Sequence, residues 1–289
     1  MFRLTHSAAQ CYRTCPRRYQ HEYILQRIKI VEAAPLTMGR AWHLAVAAYW
    51  QASADRQETA LAASQWHLLD PQVAAQLCAM LANYAPPCSD YFVRSVEEAF
   101  EIPIINPETG RAMKDAALCG RSDGVLVRND GACLVLEHKT TSEDVIGYGP
   151  YWQRLSIDHQ ITGYAIAARA TGALYDVVRK PTLKFCAKDA DDYGVYTTRC
   201  IEQRTDSAEW HQYRTILIDA EQQRECMTDL WQLAHQIRDC ARLGTWPRNS
   251  GACKGFFGIC PYLDVCTGAA RLDDDTIFRS KIDAHEELL

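Results

Sequence analysis

The stretch LVLEHKTT at 134–141 runs three apolar residues into Glu137-His138-Lys139, an acid and a lysine two positions apart. Side chains alternate across a strand, so Glu137 and Lys139 share one face and His138 takes the other. Upstream, GRSDGV carries Asp123, and NDG at 129–131 predicts a hairpin turn between the two stretches. A turn there pairs positions whose numbers sum to roughly 260, which sets Asp123 opposite Glu137 on one face. Two facing carboxylates repel each other, and a divalent cation relieves that repulsion. Hard oxygen ligands suit Mg²⁺ or Mn²⁺. A neighbouring lysine helps deprotonate a metal-bound water and stabilises charge on a phosphate. Asp123, Glu137 and Lys139 thus read as a metal-dependent hydrolysis site. The plain alternative is a Glu–Lys pair at a strand end with Asp123 in a turn.

Two further groups of residues bear on that choice. SIDHQITGYAIA places Gln160 and Tyr164 one helical turn apart on one face. An amide and a phenol projecting together hold a nucleic-acid backbone or stack on a base; the alternative is a half-buried amphipathic helix. GRAWHLAVAAY puts His43 in a helix of mostly apolar residues, where a lone histidine is more often core than ligand. As a third metal ligand it would favour Mn²⁺.

The chain has 13 cysteines. Most stand singly among apolar residues (Cys78, Cys119, Cys133, Cys186, Cys226) and read as small buried hydrophobes. Two groups differ: CYRTCPRRY with Cys11 and Cys15, and CKGFFGICPYLDVC with Cys253, Cys260 and Cys266. Three cysteines in an irregular Gly-rich tail need an organiser. A fourth thiolate, from Cys11 or Cys15, completes a set for zinc or an iron–sulfur cluster.

These residues need elements to position them. Residues 5–30 read as helical with a break at Pro16, 37–52 as a second helix, and 55–84 as one or two more, ending before APPCSD. Strands are expected around 95–104, over AALCGRSDGVLVR and over ACLVLEHKT; a helix follows over 151–170. Further strands are expected near 176–187 and 194–202, then one long helix or two over 206–243. The expected fold is α/β with a central sheet flanked by helices. One domain is expected over 1–289: a mainly helical part to 90, a catalytic sheet and helix over 91–204, and a C-terminal helix and cysteine tail over 205–289.

Composition is that of a globular protein, with 48% hydrophobic and 23% charged residues. Net charge is 31 − 36 = −5, against a generally basic nucleic-acid binder but not against a local basic patch. Arg13, Arg17, Arg18, Arg27 and Lys29 are candidates for such a patch. No apolar run reaches membrane-spanning length, and the start lacks the apolar core of a signal peptide, so a cytoplasmic location is expected.

The order His43, Gly120-Arg121-Ser122-Asp123, Glu137-His138-Lys139, Gln160…Tyr164 resembles the PD-(D/E)XK nuclease superfamily, and within it the RecB-type branch. Ser122 stands where the superfamily's eponymous proline falls. The resemblance implies a restriction-endonuclease-like mixed sheet. It implies Asp123, Glu137 and His43 as metal ligands, with the carbonyl of His138 adding one. Lys139 would assist the attacking water, and Gln160 and Tyr164 would bind substrate. Iron–sulfur nucleases of this branch pair one N-terminal cysteine at a CP turn with three near the C-terminus. By that likeness Cys15, Cys253, Cys260 and Cys266 would hold a 4Fe–4S cluster joining the terminal segments, with Cys11 in reserve. The implied activity is a DNA exonuclease on single strands or duplex ends, working with a helicase, recombinase or integrase. A non-catalytic DNA-binding module with an iron–sulfur clasp, and a zinc-stabilised structural protein, are the other readings.

Overall fold

The computed structural model describes residues 2–30, 37–189, 192–204, 207–255 and 258–288. The first elements are β1 (Phe2–Leu4), α1 (His6–Thr14), α2 (Pro16–Tyr19), β2 (Arg27–Lys29), α3 (Met38–Gln51), α4 (Arg56–Ala63) and α5 (Pro71–Ala82). Next come β3 (Tyr91–Ile105), β4 (Ala112–Arg128), β5 (Cys133–Thr141), α6 (Pro150–Leu155), α7 (His159–Ala168) and β6 (Gly172–Arg179). The rest are α8 (Tyr193–Gln203), α9 (Ser207–Trp210), β7 (His211–Leu217), α10 (Ala220–Leu243), β8 (Lys254–Gly255), β9 (Gly258–Ile259), α11 (Leu263–Thr267) and β10 (Phe278–Ser280). They form two compact units: one of residues 1–33, 99–120 and 224–289, the other of 34–98 and 121–223. The strands β3 and β4 each run from one unit into the other.

The 34–98/121–223 unit holds a mixed sheet. β5 lies antiparallel to β4 and parallel to β6, and β7 runs antiparallel to β6. The turn before β5 is the expected one: Gly131 takes φ +89°, and Arg128 N–H donates to the Ala132 carbonyl at 2.9 Å. Positive φ favours glycine at that point. β6 is buried almost end to end, as a strand covered on both faces must be. Its Gly172 is obligatory, because a Cβ there would sit 2.5 Å from the Ile216 carbonyl oxygen of β7.

One face of the sheet is covered by α3 and α5. The stripe Trp42, Val46, Tyr49 and Trp50 recurs at helical spacing and packs with Leu77, Met80 and Tyr84 on Leu134, Leu136 and Leu174. Asp70 caps α5, accepting from Gln72 N–H at 2.9 Å, with Pro71 at its first position. The odd-numbered face carries Tyr175, whose hydroxyl donates to the Leu155 carbonyl of α6 at 3.2 Å, and α7 packs beside it. The arrangement is α/β with a central mixed sheet flanked by helices, as expected.

Three local expectations are corrected. Residues 194–202 form helix α8, not a strand. Tyr196 and Cys200, one turn apart, bury against Ala75 and Ala79 of α5, and Asp192 caps the helix through Gly194 N–H at 2.8 Å. The expected 206–243 helix is interrupted by strand β7 between the short α9 and the long α10, because the buried strand β6 needs a hydrogen-bonded neighbour on that side. The expected 5–30 helix is α1, α2 and one π turn, and ends in β2, which pairs antiparallel with β10. Among the described residues no helix is long and apolar enough to cross a membrane.

His211, on β7, is buried with its Nε2 2.8 Å from Arg204 Nη2. Burial, reinforced by the Arg204 charge, pushes its pKa down from 6.5 to about 4. Above pH 6.5 both folded and unfolded chains carry it neutral. As pH falls from 6.5 to 4 only the unfolded chain takes up the proton, so stability is lost through that window. Denaturant melts should show this site costing about 2 kcal/mol between pH 7.5 and pH 5. The loss should shrink by that amount in His211→Gln; an unchanged pH dependence would refute the assignment.

Candidate active site and cysteine pocket

β4 and β5 keep the register read from the turn, with Gly124 facing Leu136 and Val125 facing Val135. One step further, Asp123 meets β5 beside Glu137, and His138 N–H donates to Asp123 Oδ2 at 2.7 Å. Lys139 Nζ donates to Glu137 Oε1 at 2.5 Å, so the two do share a face. His43 enters from α3, its Nδ1 3.4 Å from Asp123 Oδ1. The His138 ring points the other way, to Asp176 directly opposite it on β6, with Nδ1 donating to Oδ2 at 2.7 Å. Tyr84 also donates to that oxygen, and Trp50 Nε1 donates to the Tyr84 hydroxyl at 3.0 Å. The ring is thus engaged with Asp176 in the core, and the main-chain N–H of His138 faces Asp123.

Sequence reasoning missed Glu97. It lies on β3, where the alternation breaks and Glu97 itself takes φ +52°. A non-glycine residue there is uncommon and strained. Ligand atoms of His43, Glu97 and Asp123 all lie within 4.8 Å of one another, the one such trio among the described residues. Glu137 is outside that trio, held by Lys139, and its Oε2 is buried without a hydrogen-bond partner. The available signal was the acid pair in VEEAFEIP, charged residues interrupting an otherwise half-buried strand.

Electrostatics fit a cation site. Burial, then the charge of Asp123, raises the carboxyls of both Glu97 and Glu137 above their ordinary range. Burial also works against charge on Asp123, but the His43 hydrogen bond and charge outweigh it and hold that carboxyl low. The same pairing overcomes burial and raises His43, and Glu137 does so for Lys139. Each group that stays charged does so through an opposite partner. A divalent ion at the trio would meet two carboxylates and an imidazole, a donor set suited to Mn²⁺ or Mg²⁺.

Helix α7 starts at Asp158, whose carboxylate accepts Gln160 N–H at 2.9 Å. Gln160 Nε2 in turn donates to the Tyr164 hydroxyl at 3.3 Å. Burial, with Glu137 and Asp123 among the charges it feels, pushes the Tyr164 phenol up to about 12.

In the other unit, Cys15, Cys253, Cys260 and Cys266 line one small cavity of about 70 Å³. Cys15 sits at the break between α1 and α2, before Pro16. Cys260 N–H donates to the Cys253 carbonyl at 2.9 Å across the β8–β9 hairpin, and Cys266 lies on α11. Cys11 is not in the lining. It is buried 3.8 Å from Glu22 Oε2, and burial, then Glu22, pushes its thiol up to about 12. Of the basic residues expected to track phosphates, Arg17 donates to the Trp246 carbonyl at 2.9 Å, Arg18 pairs with Glu22 at 3.3 Å, and Arg27 pairs with Asp275 at 2.7 Å. These three are engaged internally.

The chain matches the family model of the PD-(D/E)XK nuclease superfamily over residues 3–267, and it belongs to that superfamily. That membership makes it a metal-dependent nuclease in class, and the mixed sheet with flanking helices is consistent with the restriction-endonuclease-like fold. No curated protein matches its sequence. A solved structure described as "Crystal structure of SSO0001" is similar over 76% of this chain and 80% of its own, at 12% identity and a TM-score of 0.30.

Glu97→Gln preserves shape and removes one carboxylate charge. Calorimetric titration with Mn²⁺ should show affinity at least about tenfold weaker than wild type. Equal affinity would remove Glu97 from the ligand set.

Proposed function

We propose that this chain is a Mg²⁺- or Mn²⁺-dependent DNA exonuclease acting on single strands or duplex ends, with a structural 4Fe–4S cluster. The observation that carries the nuclease reading is the convergence of Asp123, Glu137 and Lys139 with His43 in one half-buried space. The Glu137 and Asp123 charges that act on the Tyr164 phenol support adding Gln160 and Tyr164 to the site. The exonuclease form follows from the motif resemblance to the RecB-type branch.

Asp123 and His43 would hold the cation, with Glu97, Glu137 and the His138 carbonyl completing its sphere. When bound, the ion supplies Lewis acidity toward a phosphate and a lowered pKa for a water. Lys139 would orient an attacking water and would carry positive charge toward the phosphate oxygens. Glu137 keeps the Lys139 ammonium in place and charged. Gln160 and Tyr164 present an amide and a phenol to the strand being cut. The Asp176–His138 hydrogen bond is a positioning contact, holding the β5 main chain whose N–H orients Asp123.

The cluster reading rests on the four sulfurs lining one cavity. A single zinc bound by thiolates at about 2.3 Å would bring its sulfurs within about 3.8 Å of one another. Among the described residues no three cysteine thiols lie within 4.8 Å. That wider spacing favours a larger group, and ligation by four cysteine thiolates is what a 4Fe–4S cluster uses. The cluster would brace the terminal segments. A helicase, recombinase or integrase is the class of partner that would supply such an enzyme with ends.

A digestion time course on end-labelled single- and double-stranded DNA with Mn²⁺ should show progressive loss from ends. Glu137→Ala or Lys139→Ala should lower the rate by about 10² or more. Full activity in Glu137→Ala would overturn the nuclease assignment. Binding without cleavage under both Mg²⁺ and Mn²⁺ would favour the DNA-binding module. Protein purified without oxygen should be brown, Cys15→Ala should lose that absorbance, and Cys11→Ala should keep it. A colourless protein with one zinc would replace the cluster by a zinc clasp.

A further inference from the structure

We propose that the groove between the β3–β4 turn and α10 is a second binding site, for single-stranded DNA. The inference rests on the nuclease reading for the identity of the strand, but its residues belong to none of the sites described above. The groove has a volume of about 660 Å³ and lies wholly within the unit that holds α10.

Its lining combines cations with aromatic rings. Arg111, Lys114 and Arg238 against Asp115 make 3 − 1 = +2, in a chain whose total is −5. Asp115 is paired with Arg238. Arg111 and Lys114 are exposed, and among the described residues neither has an ion-pair partner. Trp231 and His235, one turn apart on α10, place their ring centroids 4.3 Å apart at 60°. Arg238 follows on the same helical face. Phosphates are neutralised by such cations, and bases stack on such rings. Stacking needs an open base face, which a duplex does not offer, so the mixture selects single strands.

The groove is also preorganised. The turn is locked by Asn106, whose Oδ1 accepts Glu108 N–H at 2.8 Å and Thr109 N–H at 3.1 Å. Asn106 N–H donates to the Arg111 carbonyl at 2.9 Å. Ile105 N–H donates to Met227 Sδ at 3.3 Å, tying the hairpin to α10 just before Trp231. A strand entering this groove meets a backbone turn already tied to the helix, and that lowers the ordering cost of binding.

The test is fluorescence anisotropy with an end-labelled oligothymidylate of about 20 nucleotides, longer than one such site. The full chain is used in EDTA so that nothing is cut. Trp231→Ala should weaken binding by about 5- to 100-fold, and Trp231→Phe should retain most of it. The double variant Arg111→Glu/Lys114→Glu should weaken binding and reduce the salt-dependence slope by about 1.4. Both positions of that variant are exposed, so it stays informative if Trp231→Ala unfolds. Mn²⁺-dependent cleavage of a dinucleotide should be unchanged in all of them. The groove is overturned if the wild type does not bind the oligomer. It is equally overturned if the variants bind it as the wild type does, or if Trp231→Ala weakens blunt duplex as much as single strand. Loss of binding in these variants from a wild type that cuts no DNA leaves the groove standing and removes the nuclease reading. Normal cleavage with unchanged binding does the reverse.

Discussion

Three carboxylates, Glu97, Asp123 and Glu137, crowd the end of a hairpin where burial disfavours charge. The rest of the 34–98/121–223 unit is arranged around that conflict. Asp123 stays ionised because His43 and the His138 N–H face it. Glu137 is held by Lys139, leaving one buried oxygen without a partner. Buried charges without partners are costly, and a divalent cation is the compensation this donor set fits.

His138 joins that site to the core. Its main chain belongs to the carboxylate side, while its ring reaches through Asp176 to Tyr84 and Trp50 on the α3 side. One residue can serve both faces because a strand sends main-chain groups sideways and side chains up or down. The apolar half of LVLEHKTT secures the strand between α3/α5 and α6/α7, so the charged half is held still where it emerges.

The cysteines show a different economy of residues. Of the 13, Cys11, Cys119, Cys200 and Cys226 are small core groups, Cys186 is exposed where the sequence suggested burial, and four gather around one cavity from positions far apart in the chain. The choice between Cys11 and Cys15 is a matter of backbone. Pro16 ends α1 at Cys15 and turns that side chain toward the tail, whereas Cys11 stays on the buried face of α1 beside Glu22.

What was legible in the sequence is what depends on short-range periodicity. The alternation that pairs Glu137 with Lys139, the NDG turn that sets Asp123 against β5, the helical spacing of Gln160 and Tyr164, and the Trp42–Trp50 stripe all arise within one element or one turn. Glu97 was not legible, because its approach to His43 and Asp123 depends on a local φ reversal and on packing between β3, β4 and α3. The strand β7 and the helix α8 were misread for the same kind of reason. VYTTRCI has strand-forming residue types, yet α5 offers Tyr196 and Cys200 a helix-spaced surface. HQYRTIL adjoins helical sequence, yet it completes the hydrogen bonds of β6. Sequence by itself determined the local periods and the chemistry they can carry. Tertiary structure decided which distant side chains share a buried space, because that depends on hydrogen-bond and packing partners that no single stretch contains.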